Sequence, residues 1–413
     1  MRTALILFAI VVPILAQVGS ETYQDQPKIA PPYYQVRYEP SPKADGLQFA
    51  ARFTVWIPED VERLRGVIVH QHGCGTGSAK SGLTGAFDLH WQALARAHDC
   101  ALLSPVYEYI EGQSCQIWCD PTQGSDAAFQ KSLTDLGELA GHPELDEVPW
   151  ALWGHSGGGY WSAIMTALHP ERIAATWMRS GSLPMEQRPG RDSVKLYEVS
   201  EDMLSVPMMV NLGTEEGVTV TEGRFAGVWP AAKRFVEKVR ELDGLAAVSV
   251  DPLSGHQCGN QRYLAIPWFD ACLAARLPEG SGQQLREISR DNSVLVPLLK
   301  GDSIPENEFE GDASKMGWLP NPAIGELWET YVIDTTAADT SAPPAPFDLN
   351  LSADGLLTWN AHADLESGIA GFTIKRNGEV IGEVLQKNRN PFGRPLFQGL
   401  LYSDTPTFPL EKM

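Results

Sequence analysis

The chain has 413 residues, room for two or three domains. Hydrophobic residues make up 43% and charged residues 20%, an ordinary globular composition that excludes global disorder, collagen and coiled coil. With 32 basic against 52 acidic residues the formal net charge is −20, which repels phosphate backbones and anionic membrane surfaces and argues against a nucleic-acid partner.

Met1 and Arg2 lead into an apolar run, Ala4 to Ala16. That run is shorter than the ~20 residues a membrane-spanning helix needs. A basic start, a short apolar core and small residues near Ala16 or Gly19-Ser20 fit a cleaved signal peptide over residues 1–20. The expectation is an exported chain, secreted or periplasmic, without a transmembrane anchor. No cysteine follows the apolar run, so lipid attachment there is not indicated. Export changes how the six cysteines read: Cys74, Cys100, Cys115, Cys119, Cys258 and Cys272. An even count in an oxidising compartment suggests disulfides, and the sequence does not choose among the pairings. Cys100 and Cys272 fall in apolar runs, as buried thiols do. The spacing of Cys115 and Cys119 is only a weak zinc signal.

From about Tyr34 to Arg276 strand-like and helix-like segments alternate. Phe53–Ile57 and Gly66–Val69 read as strands, Phe87–His98 as a helix with Trp91, Leu94 and Ala95 on one face, and Ala101–Val106 as a strand. Ala127–Ala140 carries Phe129, Leu133, Leu136 and Leu139 at helical spacing. Trp150–Trp153 is a short buried strand, Gly157–Leu168 a helix and Ile173–Trp177 a strand. Met208–Leu212 is a strand, Ala231–Leu242 a helix with Pro230 at its start, Ala246–Val250 a strand and Tyr263–Arg276 a last helix. This alternation predicts an α/β fold: a doubly wound, mostly parallel sheet covered on both faces, with chemistry at the carboxyl ends of the strands.

Glu279 to Thr340 lacks clear periodicity and reads as a C-terminal extension and linker. Ala342-Pro-Pro-Ala-Pro346 reads as a stiff hinge. Beyond it come short strands at Phe347–Leu351, Leu356–Asn360, Gly371–Lys375 and Val380–Val384, with a hairpin signal at Arg376-Asn-Gly-Glu379. The expected division is residues 1–20 signal peptide, 21–278 α/β catalytic domain, 279–341 extension and linker, and 342–413 a small all-β module. No repeat of 20–50 residues is present, which argues against a solenoid or propeller.

The decisive segment is Leu152-Trp-Gly-His-Ser-Gly-Gly-Gly159, which contains the G-x-S-x-G of Gly154, Ser156 and Gly158. Glycines two before and two after a serine give the backbone room for a sharp strand-to-helix turn that presents the hydroxyl. Here an apolar strand precedes the motif and a helix follows it, so Ser156 is the predicted nucleophile. A serine hydroxyl needs a base. His256, just past the strand Ala246–Val250, has the right position and order. His142 and His169 precede prolines at helix ends, where capping is the simpler role, and His362 lies beyond the hinge. The acid should fall between serine and histidine in the chain. The turn Asn211-Leu-Gly-Thr-Glu-Glu216 leaves a strand there, so Glu216 is the choice, Glu215 its alternative and Asp251 a distant third. Val69-His-Gln-His-Gly-Cys-Gly-Thr-Gly77 leaves another strand as a glycine-rich loop. The N–H of Cys74 and that of Gly157 are predicted to converge on the oxyanion. His70 and His72 share a strand face and are a conceivable metal pair, but no third ligand stands out in the sequence; neither metal nor cofactor is expected.

In their order, oxyanion loop, elbow, acid turn and histidine, the residues from Tyr34 to Arg276 resemble the α/β-hydrolase fold. His72-Gly-Cys74 resembles the oxyanion loop of extracellular polyhydroxybutyrate depolymerases and related feruloyl esterases, and Cys115-Gln-Ile-Trp118 is similar to a Cys-Trp loop of those enzymes. His155 in the elbow and a glutamate as the acid depart from that family's usual pattern. Ala345 to Val384 resembles the first half of a fibronectin type III module, with Leu357-Thr-Trp359 in its second strand and Gly371-Phe-Thr-Ile374 in its third. Its final strands are not identified before Met413, so a divergent or truncated module is expected.

These readings converge on an exported serine hydrolase that cleaves small or polymeric carboxylic esters through a Ser–His–acid triad and an acyl-enzyme. A polyester or plant-polymer esterase is the first alternative, since the appended module implies contact with a surface or glycan. A serine peptidase and a catalytically inactive binding or adhesion protein are the others. The segment Ser180–Pro207 is short for a cap, which implies an open Ser156, and Trp118, Trp161 and Trp229 are candidates to line the cleft.

Overall fold

The computed structural model describes residues 29–43, 46–75, 85–108, 114, 116–187, 194–280, 282–336, 339–385 and 410–412. The leader at residues 1–20, Cys115 and the end of the glycine-rich loop at Gly77 lie outside them.

Eight strands form the central sheet: β1 (Tyr33–Tyr38), β2 (Ala50–Trp56), β3 (Gly66–Gln71), β4 (Cys100–Glu108), β5 (Trp150–His155), β6 (Ile173–Arg179), β7 (Met208–Gly213) and β8 (Ala246–Asp251). Their spatial order is β1-β2-β4-β3-β5-β6-β7-β8. β2 pairs antiparallel with β1 and β4, and every other neighbouring pair is parallel. The runs in β3 and β5–β8 are buried at every residue. Such strands do not alternate apolar with polar because helices cover both faces. Helices α1 (Leu89–Ala97), α2 (Ser125–Ala140), α3 (Gly157–Leu168), α4 (Val228–Glu241) and α5 (Arg262–Arg276) make those covers. One core layer takes Phe129 and Leu133 of α2, Trp161 of α3 and Phe235 of α4. The other takes Trp91 of α1 and Leu264 and Phe269 of α5. The doubly wound, mostly parallel sheet expected from the alternation is present and fits the α/β-hydrolase fold. β1 is not anticipated by the sequence pattern: its tyrosines are half-buried at a sheet edge, with no apolar run to mark a strand.

Leu139, grouped with the apolar face of α2 from its spacing, is 56% exposed. It is the second-to-last residue of the helix, and Gly141 (φ 79°) then ends it.

Much of the stretch read as a C-terminal extension and linker carries secondary structure of its own. A three-stranded antiparallel sheet of β9 (Val294–Pro297), β10 (Ile304–Pro305) and β11 (Met316–Leu319) precedes helix α6 (Pro322–Asp334). Asn321 caps α6 through the Ile324 N–H, and Pro322 occupies its first turn. Trp328 is fully buried in the α1/α5 core layer, and its indole N–H donates to Val248 O of β8 at 2.7 Å. Strands of two to four residues are too short to display a period, which is why the sequence reads as aperiodic here.

After the exposed Ala342–Pro346 come β12 (Phe347–Leu351), β13 (Leu357–Asn360), β14 (Gly371–Arg376) and β15 (Glu379–Leu385), paired as two antiparallel hairpins. The predicted turn between β14 and β15 has Asn377 at φ 54° and Gly378 at φ 86°, the positive pair that two-residue hairpin loops favour. Trp359 and Ile369 pack with Leu89 of α1, so this region rests on the α/β body. No helix among the described residues is long and apolar enough to cross a membrane.

Candidate active site

β5 ends at His155 and α3 begins at Gly157, leaving Ser156 as the hinge between them. Ser156 has φ 55° and ψ −115°, a sparsely populated conformation that costs of order 1–3 kcal/mol and is held by its surroundings. Its N–H donates to Arg179 O at 2.7 Å, and Tyr160 N–H donates to Ser156 O at 3.1 Å. The flanking glycines are required by contact: a Cβ on Gly154 would sit 2.1 Å from Gly158 O, and one on Gly158 would sit 2.3 Å from Gln71 O. The turn therefore closes only because neither position has a side chain.

Ser156 Oγ lies 2.8 Å from His256 Nε2, and His256 Nδ1 lies 2.6 Å from Glu216 Oε1. The structure thus brings together the three predicted side chains from three strand ends: β5, β8 and β7. Glu216 Oε2 accepts from the Ser180 hydroxyl at 2.6 Å and from the Gly213 N–H at 2.8 Å. Glu216 is buried, and burial alone would raise its pKa. The bond to His256, the charge of Arg179 and the Ser180 bond outweigh that and hold it below its ordinary value. Burial holds the His256 imidazole below its ordinary pKa, and Glu216 only partly restores it. A neutral histidine between a hydroxyl and an anionic carboxylate is the state a general base needs.

Glu215, the alternative acid, is exposed and approaches Gly255 instead of the imidazole. Asp251 is buried and accepts from the Leu253 N–H at 2.8 Å within its own turn. Cys74 and Gly157 both line the cavity that Ser156 and His256 open into. A side chain on Gly157 would lie 3.5 Å from Cys74 N, so the two backbone donors flank the same space. Gly157 is the first residue of α3, where helix geometry leaves the N–H without an intrahelical acceptor and the dipole favours negative charge. Cys74 Sγ lies 3.5 Å from Cys119 Sγ. Cys100, Cys119, Cys258 and Cys272 remain buried thiols.

The cavity measures about 400 Å³. Its walls include Ile117, Tyr160, Ile164, Lys195 and Phe225. None of the three tryptophans proposed for the cleft is among its lining residues. Trp118 stacks on Tyr107 at 4.7 Å, and Trp161 meets Phe129 edge-on at 5.4 Å, both inside the core. Trp229 is half-buried and bonds through its backbone N–H to Glu216 O at 2.9 Å. Trp118 and Trp161 serve packing rather than the site.

Three contributors carry no sequence signal. Arg179 of β6 is buried, and its guanidinium donates to Asn211 Oδ1 (2.9 Å), Ser254 Oγ (3.0 Å), Gly255 O (2.9 Å) and Gln257 O, so it pins the loop that carries His256. Phe225 lies flat on the His256 ring, with centroids 3.7 Å apart and an interplanar angle of 9°. Ser180, at φ 55°, supplies a hydroxyl to Glu216. An arginine two residues beyond an apolar strand core has no distinguishing pattern, and an Arg-Phe pair in a turn has none either.

The remaining histidines are held elsewhere. His142 pairs with Glu144 and His169 with Asp126, each at 3.0 Å, and His98 pairs with Asp270 at 2.8 Å. His70 stacks on Trp153 at 4.0 Å and 6°. It is not paired with His72 as a ligand: the atoms that converge with His72 belong to His155 and Cys258.

No protein-family model matches the chain, and no curated protein does. Similar solved structures include a ferulic acid esterase, 14% identical over 54% of this chain and 90% of that one, with a TM-score of 0.38. A fluorophosphonate-binding serine hydrolase of Staphylococcus aureus is 13% identical over 54% of this chain and 91% of that one, at a TM-score of 0.36. A thermostable esterase is 16% identical over 56% of this chain, at a TM-score of 0.35, and the chain spans 55% of that protein's length.

Proposed function

We propose that this chain is an exported serine hydrolase of carboxylic esters, with Ser156 as nucleophile, His256 as general base and acid, and Glu216 rather than Glu215 as the triad acid. The observation that carries the reading is the unbroken line Ser156–His256–Glu216, at 2.8 and 2.6 Å, opening onto a cavity of about 400 Å³. In the proposed cycle, Ser156 Oγ attacks the ester carbonyl carbon as its proton passes to His256 Nε2. The resulting imidazolium is stabilised by the Glu216 carboxylate. The carbonyl oxygen becomes an oxyanion that accepts from the Cys74 and Gly157 N–H groups, each such donor being worth ~3–4 kcal/mol in the transition state. Collapse breaks the C–O bond, and His256 returns its proton to the leaving alkoxide. A water molecule, deprotonated by His256, then attacks the acyl-enzyme. The carboxylic acid leaves, and Ser156 recovers its proton.

A volume of about 400 Å³ suits one acyl or aryl group, with the other half of the ester toward solvent. A polymeric ester fits this reading when it presents such a group singly. Export rests on the leader sequence, and the fibronectin-like reading of 342–413 rests on the hairpin and on the buried Trp359. The catalytic body in this reading extends through α6 to about residue 335. The test is hydrolysis of nitrophenyl esters of graded acyl length by the mature chain and by Ser156→Ala. Turnover by the wild type and none by the variant is expected. Equal turnover by both would overturn the assignment.

A further inference from the structure

Beneath the triad three buried side chains converge: His72, His155 and Cys258, exposed by only 3%, 7% and 3%. Their ligand atoms all lie within 4.8 Å of one another. His72 follows β3 two residues before Cys74, His155 precedes Ser156, and Cys258 stands two residues after His256. The segments that carry Cys74, Ser156 and His256 therefore contribute one member each.

The tautomer of His155 is fixed by geometry. Its Nε2 lies 2.7 Å from the backbone O of His256, and a carbonyl oxygen only accepts, so Nε2 carries the hydrogen. Nδ1 is then a lone pair, and it is buried without a hydrogen-bond partner. A histidine that donates one ring N–H to a backbone carbonyl and presents the other nitrogen as a lone pair is arranged as a metal ligand. Two imidazoles and a thiol are a donor set for zinc, which binds nitrogen at ~2.0–2.1 Å and thiolate sulfur at ~2.3 Å.

We propose that His72, His155 and Cys258 form a zinc site that ties together the loops carrying Cys74, Ser156 and His256. Ligand atoms around a tetrahedral zinc stand roughly 3.5 Å apart, so closure requires movements of about an ångström or less from the observed spread. On binding, the Cys258 thiol gives its proton to solvent and both imidazoles bind neutral, leaving the centre with one net positive charge. The ion polarises the His155 ring and strengthens its bond to His256 O, so it holds the backbone of the base rather than touching substrate. The site does not require Ser156 to be a nucleophile, and its test is independent of turnover.

The full chain, stripped with a chelator, is mixed with one equivalent of zinc chloride, passed through gel filtration and analysed for bound metal. Cobalt(II) is substituted in a parallel sample and read for a thiolate-to-metal charge-transfer band. Retention of about one zinc per chain, a cobalt–thiolate band and at least ~100-fold weaker binding in Cys258→Ala are expected. Cys272→Ala, which removes a buried thiol of α5, retains the metal. If Cys258→Ala fails to fold, alkylation mapping of the wild type decides: zinc must slow modification of Cys258 and leave Cys272 unchanged. No retained zinc, undiminished binding in a folded Cys258→Ala, or protection of Cys272 alone overturns the proposal. Copper, which the same three donors accept, is run as a separate arm, and retention of copper with exclusion of zinc overturns the assignment of the ion.

Discussion

Replacing Glu216 by glutamine tests the triad at its most buried member. Oε2 of Glu216 receives two donors, the Gly213 N–H at 2.8 Å and the Ser180 hydroxyl at 2.6 Å. The backbone N–H cannot turn into an acceptor, so the amide oxygen of the introduced glutamine takes that side. The amide N–H2 must then face His256 Nδ1. That contact is satisfied only if Nδ1 becomes the lone pair, which moves the ring hydrogen to Nε2, opposite Ser156. The base is thereby presented in the wrong tautomer. The charge term adds to this: an ion pair at ~4 Å in an effective dielectric near 20 is worth about 4 kcal/mol, or roughly a thousandfold in rate. Together these predict a fall in kcat/KM of ~10³–10⁴ for Glu216→Gln, with the fold intact because the amide fills the same space. Glu215→Gln, at an exposed position, stays within about threefold of wild type. The assay is initial-rate hydrolysis of a short nitrophenyl ester, with near-UV circular dichroism to confirm folding. A Glu216→Gln variant within tenfold of wild type, or an equal loss in Glu215→Gln, would refute the reasoning.

Three other outcomes follow from the structure. Arg179→Met removes the donors that hold Asn211, Ser254, Gly255 and Gln257, and leaves those buried acceptors unsatisfied; a loss of ~3–5 kcal/mol in denaturant unfolding is expected, together with loss of turnover, whereas a change below about 1 kcal/mol would show that the loop is held by other contacts. Trp328→Ala empties a fully buried site between α6 and β8 and should cost ~3–5 kcal/mol in a single cooperative transition; a separate early transition would mean that residues beyond 279 are an independent unit. Arg290 bonds Asp243 and Glu306, and both carboxylates are held below their ordinary values: in Asp243 the Arg290 bond leads, and in Glu306 burial opposes but Arg290 and Ser293 prevail. Depressed carboxylates stabilise the fold above their unfolded-state pKa values and lose that contribution as pH falls through the folded-state values. Stability should therefore drop below about pH 4, and Arg290→Ala should flatten that part of the curve by ~1 kcal/mol; an unchanged acid limb in the variant would contradict the pairing.

The candidate site is legible in the sequence where local constraints are strong. The Gly154–Gly158 turn admits no Cβ, the flanking strand and helix have clear patterns, and the order Ser156, Glu216, His256 follows the strand ends. The choice of Glu216 over Glu215 comes from position in a turn, and the structure separates them by burial. What is not legible is set by tertiary proximity. Arg179, Ser180 and Phe225 act on Glu216 and His256 from other segments, and nothing in their own neighbourhoods marks them. The same holds for the partners of His72: strand alternation suggests the pair His70/His72, yet His70 faces Trp153 and the convergent atoms come from β5 and the loop after β8. The tryptophans assigned to the cleft show the reverse error, since an apolar ring near a site in sequence is drawn first into the core. Residues 279–341 fail to read because strands of two to four residues have no measurable period, although the Asn321-Pro322 start of α6 is an ordinary helix-start signal.

The most direct measurement is reaction of the mature chain with a fluorophosphonate, followed by intact-mass and peptide mapping, beside Ser156→Ala. One adduct per chain, located on Ser156, matched by loss of ester hydrolysis and absent from the variant, is the predicted result. A folded wild-type chain that takes up no label, or a label that maps to another residue and persists in Ser156→Ala, would contradict the account.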